Sequence, residues 1–380
     1  MTILQVISSS GFYGAESMLV SLSTALLQLG CDTKVAVFHD GRDPHTEVAE
    51  IATARGLDVS LLPCSSRWDV GIVAKLRKLI HTLKVDVVHA HGYKADIYTA
   101  ATWPHRAALV STCHNWPDSR LAMRAYAILD RLALRCFDEV VTPSPVLVDI
   151  LSNSGIRDGR ISFVPNGVDV DLFREAKGTL REELGFAGSP LVGFVGRFVE
   201  AKGGHILIRA AKRVVEQMPT VQFVFAGAGP EAEAWRELAK QAGLEKQVHF
   251  IGVRNDMPAV YKSLDLVVLP SLNEAMPMCL LEAMAAGRTV VATRVGAVPQ
   301  LVKSGENGII VEPGAENELA AGILQILKNP ALRQQMEASA RQRVIEEYSS
   351  ESMARHYLQL YRRSLEKRSA ANAIGVEARS

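Results

Sequence analysis

Two cations and two carboxylates in the second half of the chain stand where they can handle a ligand carrying a diphosphate. Arg197 and Lys202 lie on a glycine-bounded loop, Gly196-Arg197-Phe198-Val199-Glu200-Ala201-Lys202-Gly203, that follows the apolar run Leu191–Val195. Arginine offers a planar fork to phosphate oxygens and lysine a point charge. Together they can offset the charge that builds on a diphosphate as its bond to a sugar breaks. Glu274 and Glu282 follow a second apolar run, Leu266–Leu269. Glu274 stands on the loop ahead of a helix and Glu282 about a turn inside it, where carboxylates accept hydrogen bonds from sugar and ribose hydroxyls. Backbone N–H groups at the start of that helix, near Met276–Cys279, form an anion site of their own. Either pair alone is common in helical proteins. Each directly after a strand, the two pairs read as one binding site.

The elements that must position these residues alternate throughout the chain. Short apolar runs rich in β-branched residues are separated by amphipathic stretches of helical length, the pattern of parallel sheets covered by helices on both faces. The first half predicts strands at Ile3–Ser8, Asp32–Phe38, Val59–Leu62, Val85–His89, Ala108–Thr112, Glu139–Thr142 and Ile161–Val164. The second predicts Leu191–Val195, Gln222–Ala226, Val248–Ile251, Leu266–Leu269, Thr289–Thr293 and Gly308–Val311. The fold class is therefore α/β, two Rossmann-like doubly wound parallel-sheet domains. The expected divisions are an N-terminal, acceptor-side domain over 1–175 and a donor domain over 176–348. A final helix over 349–366, crossing back to the first domain, and a disordered tail over 367–380 complete the chain. Open sheets of this kind put their ligands at the carboxyl ends of the strands, so two facing sheets would line one cleft.

Bulk properties narrow the field. A chain of 380 residues suits two such domains, and a net charge of +1 gives no global attraction for nucleic acid or membranes. The five cysteines, Cys31, Cys64, Cys113, Cys136 and Cys279, are scattered singly, which suits free thiols in a reducing compartment. Met1–Ser8 has no basic leader and reads as a buried strand, and no apolar run reaches the ~20 residues of a membrane span. The expectation is a cytoplasmic protein, at most peripheral on the inner face of a membrane.

The motifs extend the comparison. Gly196-Arg197 with Lys202-Gly203, Phe225-Ala226-Gly227-x-Gly229-Pro230-Glu231, and Glu274-x7-Glu282-Ala283-Met284-Ala285-x-Gly287 resemble those of the family 4 glycosyltransferases of GT-B fold. Gly11-x-x-Gly14-Ala15-Glu16, Val87-Val88-His89-Ala90-His91-Gly92 and Pro165-Asn166-Gly167-Val168-Asp169 carry the likeness over nearly the whole chain. The resemblance implies retaining, metal-independent transfer of a hexose or N-acetylhexosamine from a UDP- or GDP-sugar to a glycan or lipid-linked acceptor in surface polysaccharide or glycoconjugate synthesis. It implies that Arg197 and Lys202 hold the diphosphate, Glu274 a donor-sugar hydroxyl and Glu282 the ribose. Gly227 belongs to the donor side. The backbone of Met276, Pro277 and Met278 meets sugar and phosphate, and Val253 lies by the base. His114 stands against the transferred sugar, and Gly14 approaches the diphosphate from the other domain. Glu16, His89 and His91 fall on the acceptor side. The family has glycine after its first glutamate where this chain has Ala275, whose methyl narrows the space for the sugar.

Other signals carry less. Gly227-x-Gly229-x-x-Ala232 matches a dinucleotide fingerprint, but the strand Val248–Ile251 ends in Gly252-Val253-Arg254, without the acid that a ribose needs. Asp169-Val170-Asp171 is a possible metal motif that sits in a loop, where aspartates make turns. His89 and His91 share one strand face without a third ligand at metal spacing. Arg120, Arg124, Arg131 and Arg135 form a helical stripe opposite Leu121, Leu129, Leu132 and Ala133, either a solvated face or a contact for anionic lipid. A nucleotide-sugar epimerase or a non-catalytic nucleotide-sugar-binding module of the same fold are the alternative readings.

Overall fold

The β-branched runs do form strands, and the central ones, such as Val87–His91 and Thr289–Thr293, are buried on both faces, as parallel sheets require. The computed structural model describes residues 1–8, 11–40, 45–64, 69–103, 106–114 and 121–377. They divide into two compact units, Met1–Gly167 together with the chain from Ser350, and Val168–Ser349.

In the first unit the strands are β1 (Thr2–Ser8), β2 (Asp32–Asp40), β3 (Asp58–Cys64), β4 (Val87–His91), β5 (Ala108–Thr112), β6 (Glu139–Thr142) and β7 (Ile161–Phe163). They lie in the order β3-β2-β1-β4-β5-β6-β7, each pair parallel. The second unit holds β8 (Leu191–Val195), β9 (Gln222–Ala226), β10 (Val248–Gly252), β11 (Leu266–Leu269), β12 (Thr289–Thr293) and β13 (Ile309–Val311). Their order is β10-β9-β8-β11-β12-β13, again all parallel. Every strand expected from the sequence is present, with ends that shift by at most two residues. Each sheet reverses its strand order once, between β1 and β4 and between β8 and β11. Those switch points open a crevice at the carboxyl ends of the strands.

Three local readings of the sequence change. The helix Val170–Arg174 belongs to the second unit, its Phe173 ring packed 5.9 Å from that of Tyr261, so the units part at Gly167/Val168 rather than after residue 175. The final helix runs Ser350–Glu377, through the stretch expected to lose order from Lys367. Its alanines favour helix strongly enough to extend it. On the helix Leu121–Leu134, Leu129 and Leu132 are 39% and 51% exposed, while Tyr126, Asp130, Ala133 and Leu134 are buried. The packed stripe is thus centred on an aspartate, a residue that apolar patterning passes over. Arg131 is exposed on this helix and Arg135 in the turn that follows it; Arg120 and the side chain of Arg124 lie outside the described residues.

Asp130 and Asp96 face each other in the first unit, the latter on the helix Tyr93–Ala101, and both are buried. Burial pushes the Asp130 carboxyl up to about 7, and burial with the charge of Asp130 pushes Asp96 well above the carboxylate range. A carboxyl whose pKa is raised on folding gives its full stabilisation below the unfolded value near 4 and loses it as pH rises through the folded value. Stability should therefore fall between about pH 4 and 7 through this pair. Asp130→Asn should flatten that fall and unfold later than wild type at pH 8, by roughly 1–3 kcal/mol. Urea titrations across this range check it, and a variant less stable than wild type at pH 8 would contradict the assignment.

Candidate donor site

Strand ends at the switch point of the second sheet carry the residues singled out by spacing. β8 runs into Gly196 and Arg197, and β11 into Pro270 and the loop that bears Glu274. Arg197 is exposed. Its loop is anchored by the next residue, Phe198, whose buried ring lies 5.0 Å from Trp235 in the core of the unit. The Phe198 N–H donates to the Ala228 carbonyl at 2.8 Å.

Lys202 closes a short 3-10 turn, Glu200–Lys202. Its Nζ stands 2.5 Å from Oε1 of Glu274, whose side chain is only 9% exposed. The same oxygen accepts the Ser271 hydroxyl at 2.7 Å. Two backbone approaches hold the pair in place. Gly203 takes φ +67°, and a Cβ there would stand 2.0 Å from the Pro270 carbonyl oxygen. Gly296 takes φ +50°, and a Cβ there would stand 2.0 Å from the carbonyl oxygen of Glu274. The Leu272 N–H donates to Ala201 at 2.8 Å and the Ala297 N–H to Ala275 at 2.8 Å, so the loops are stitched together.

Behind Glu274 the helix Met278–Ala285 begins, capped by Pro277, with Met276 and Met278 buried beside it. Glu282 lies within this helix and accepts the Tyr261 hydroxyl at 2.8 Å. Burial and the neighbouring Glu282 push the Tyr261 phenol well up, so it remains a proton donor. Burial likewise pushes the Cys279 thiol up to about 12, and it stays protonated at neutral pH. The Gly227 N–H is used by the Gly252 carbonyl at 2.8 Å, and Val253, next in the chain, is 69% exposed at the edge of the sheet.

In the first unit the expected residues form a different kind of cluster. His89 is fully buried, with its Nδ1 2.7 Å from the Tyr361 hydroxyl and its Nε2 2.7 Å from Thr112 Oγ1. Thr112 in turn lies 2.8 Å from the Tyr357 hydroxyl. His91 Nε2 lies 2.7 Å from Oε1 of Gln5, and its Nδ1 3.1 Å from Nε2 of His114. An amide oxygen only accepts, so His91 carries its proton on Nε2 and His114 donates to it through Nε2–H. Nδ1 of His114 is then the unprotonated nitrogen. Burial lowers His114 to about 4, so the ring is neutral at physiological pH; burial also lowers His89 and His91. Glu16 caps its own helix, Gly14–Gln28, with its carboxylate 3.1 Å from the Tyr13 N–H, and Gly14 is exposed at the first turn. Asp169 accepts the Leu172 N–H at 3.2 Å as a helix cap, and Asp171 pairs with Arg174 at 2.8 Å, the turn role rather than a metal site.

Sequence reasoning missed Gln5, Thr112, Tyr357 and Tyr361 in this cluster, and Ser271 and Tyr261 around the two glutamates. Gln5 left one signal, a lone amide in the middle of the apolar run Thr2–Ser8. The tyrosines were visible only as part of an apolar helix face.

Residues 177–343 match the family of group 1 glycosyl transferases, and residues 12–172 match Glycosyltransferase Family 4. The fold and this pair of matches make the chain a member of the group 1, family 4 glycosyltransferases of GT-B fold. An uncharacterised glycosyltransferase of Methanocaldococcus jannaschii is 28% identical over 79% of this chain and 81% of its own length. A D-inositol 3-phosphate glycosyltransferase of Corynebacterium diphtheriae is 26% identical over 89% of this chain and 87% of its own. Among solved structures, HepE of Anabaena in complex with UDP-glucose superposes with a TM-score of 0.82 at 25% identity, covering 97% of this chain and 100% of that one. No helix among the described residues is long and apolar enough to cross a membrane.

Because Gly203 combines a left-handed φ with a backbone contact, Gly203→Ala should cost about 2–4 kcal/mol of the second unit's stability. Thermal unfolding checks it, and a change below about 0.5 kcal/mol would mean the Lys202 turn is free to shift.

Proposed function

We propose that the chain transfers a hexose or N-acetylhexosamine from a UDP-sugar, without a metal and with retention, to a glycan or lipid-linked acceptor in surface glycan synthesis. The observation that carries this reading is the Lys202–Glu274 pair at 2.5 Å on loops at the β8/β11 switch point, with Arg197 on the same loop as Lys202. Lys202 has three N–H donors and gives one to Glu274, so the others can meet phosphate oxygens. Glu274 Oε1 already accepts from Lys202 and Ser271, which leaves Oε2 for a sugar hydroxyl. Glu282, aligned by Tyr261, takes the ribose, and Val253 lies by the base. The Met276–Met278 backbone meets sugar and phosphate.

In the transfer, the bond from the anomeric carbon to the diphosphate oxygen breaks while the acceptor oxygen bonds the same carbon from the same face. The acceptor's proton passes to the departing phosphate oxygen, whose charge Arg197 and Lys202 offset. His114, kept neutral by burial, offers the sugar a hydrogen-bonding ring without adding a charge. UDP rather than GDP is favoured by the UDP-glucose held in the Anabaena protein.

The test is calorimetric titration of UDP, GDP, ADP and NAD⁺ with and without Mg²⁺. UDP should bind without Mg²⁺, and Glu282→Ala should weaken it about 10- to 100-fold, the loss of a charge-assisted hydrogen bond. Binding of NAD⁺ alone would replace this reading with a dehydrogenase, and an inverted anomer in the product would remove retention.

A lipid-linked acceptor is supported by the face of the helix Leu121–Leu134 in the first unit. Ile128, Leu129 and Leu132 are exposed there, the first to 58%, beside exposed Arg131 and Arg135. Arg157 and Arg160 line a cavity of about 340 Å³ together with Arg135. Apolar side chains flanked by cations fit an anionic phospholipid surface. The chain should sediment with phosphatidylglycerol vesicles but not with phosphatidylcholine vesicles. Leu132→Glu should abolish this while leaving UDP affinity unchanged; retention on the vesicles would remove the membrane contact.

A further inference from the structure

A second cationic site lies in the donor-side unit, at the opposite end of the same strands. The residues just ahead of β8, β11 and β12 surround a cavity of about 460 Å³, within the range of small-molecule sites. Arg181, Lys262, Arg288 and Arg333 line it, with Asp265 as the lining carboxylate. β8 has five residues, so its length puts this cavity about 16 Å from the Arg197 loop.

The charges around the cavity do not cancel. Asp265 accepts from Arg333 at 3.0 Å through Oδ1, and its Oδ2 accepts from Arg181 and from the Leu191 N–H at 2.8 Å, so both oxygens are engaged. Glu337, the other nearby acid, stands only at 3.9 Å from Arg333 and 4.0 Å from Arg288. Lys262 has no carboxylate within ion-pairing distance among the described residues. Nε of Arg288 and Nε of neighbouring Arg341 are buried without a hydrogen-bond partner. Five cations therefore share two carboxylates in a half-buried place. Burial, then the Arg341 and Arg288 charges, lowers Lys262, as expected beside unbalanced positive charge; burial lowers Arg288 against the pull of Glu337 and Asp265.

A purely structural ion-pair network would account for Arg181, Arg333 and Asp265, which tie the helix Leu180–Glu183 and the helix Pro330–Glu347 to the sheet. It leaves Lys262 and the open volume unexplained, while Arg288 gives an N–H to the Leu264 carbonyl at 3.0 Å and has its carboxylate, Glu337, only at 4.0 Å. Guanidinium forks beside a lysine, around a space of this size, are the chemistry that recognises phosphate. We propose that this cavity binds a small, soluble phosphate-bearing anion at a site separate from the donor site. Such a ligand would meet the Lys262 ammonium and the guanidinium groups that line the cavity.

Pyrophosphate is the probe, titrated calorimetrically into wild type, Lys262→Gln, Arg288→Gln and the double variant Arg197→Gln/Lys202→Gln. Lys262→Gln removes a charge without breaking an ion pair, and an unchanged unfolding midpoint checks that the unit remains folded. The double variant should still bind pyrophosphate. Lys262→Gln or Arg288→Gln added to it should weaken that binding about tenfold, while Lys262→Gln alone leaves UDP affinity within about twofold. Loss of all pyrophosphate binding in the double variant, or binding indifferent to Lys262 and Arg288, would overturn the site. Failure of the donor reading would look different: UDP affinity would not respond to Arg197→Gln/Lys202→Gln, while the Lys262-dependent pyrophosphate binding would persist.

Discussion

Lys202 and Glu274 come from loops 72 residues apart and meet at 2.5 Å, and that meeting is possible only because two glycines let backbone touch backbone beside them. At Gly203 and Gly296 a side chain would fall on a carbonyl oxygen, so the loops after β8 and β11 can be drawn together and stitched by their own N–H groups. The sheet order makes the two loops neighbours, since β8 and β11 pair directly while the helices that follow them leave in different directions from the switch point. A cation and an anion held so closely limit each other's mobility. The lysine is pre-aimed and one carboxylate oxygen is reserved, which lowers the ordering cost of binding at these loops.

The histidine cluster of the first unit meets a different constraint. His89, His91 and His114 are too enclosed to be charged, and three neutral imidazoles can be satisfied only by a directed chain of donors and acceptors. Gln5 begins that chain at one end, and the hydroxyls of Thr112, Tyr357 and Tyr361 complete it. Two of these groups come from the final helix. That helix therefore does more than cover apolar surface in its unit: its tyrosines supply the hydroxyls that meet His89 and Thr112, while Gln5 fixes the tautomer of His91 to which His114 bonds. Exposed to water, the same histidines would titrate near physiological pH and their donor and acceptor roles would change with it.

How much of this the sequence discloses depends on the range over which each feature is encoded. Strands such as Ala108–Thr112 and Leu266–Leu269 announce themselves because burial on both faces demands an uninterrupted apolar run. Arg197, Lys202 and Glu274 are legible because each follows such a run on a short loop, where residues are chosen for chemistry rather than packing, and Glu282 because it lies in the helix directly after that loop. Gln5 and Tyr361, 356 residues apart, leave no local pattern to connect them. Asp130 is misleading for the opposite reason. Hydrophobic periodicity puts an aspartate on the outside, and only its pairing with Asp96, on another helix, makes a buried site tolerable by keeping a proton between them. With Asp130 in a core position, the exposed face of its helix carries Ile128, Leu129 and Leu132.

The distribution of charge in the second unit follows from the same geometry. Parallel strands bring all of their carboxyl ends to one edge of the sheet and all of their amino ends to the other, so each edge gathers loops from several strands at once. At the carboxyl edge the gathered side chains include both signs, and Glu274 takes up part of the Lys202 charge. At the amino edge Asp265 sits between β8 and β11 and is consumed by Arg181, Arg333 and a backbone N–H. Nothing of comparable proximity answers Lys262 or Arg288. Packing alone would favour apolar residues at such places, because half-buried cations without a close carboxylate cost more than they return. Gathering them in a half-buried cavity carries a local cost that a bound anion would offset, and the fold concentrates that cost at the amino edge of the sheet.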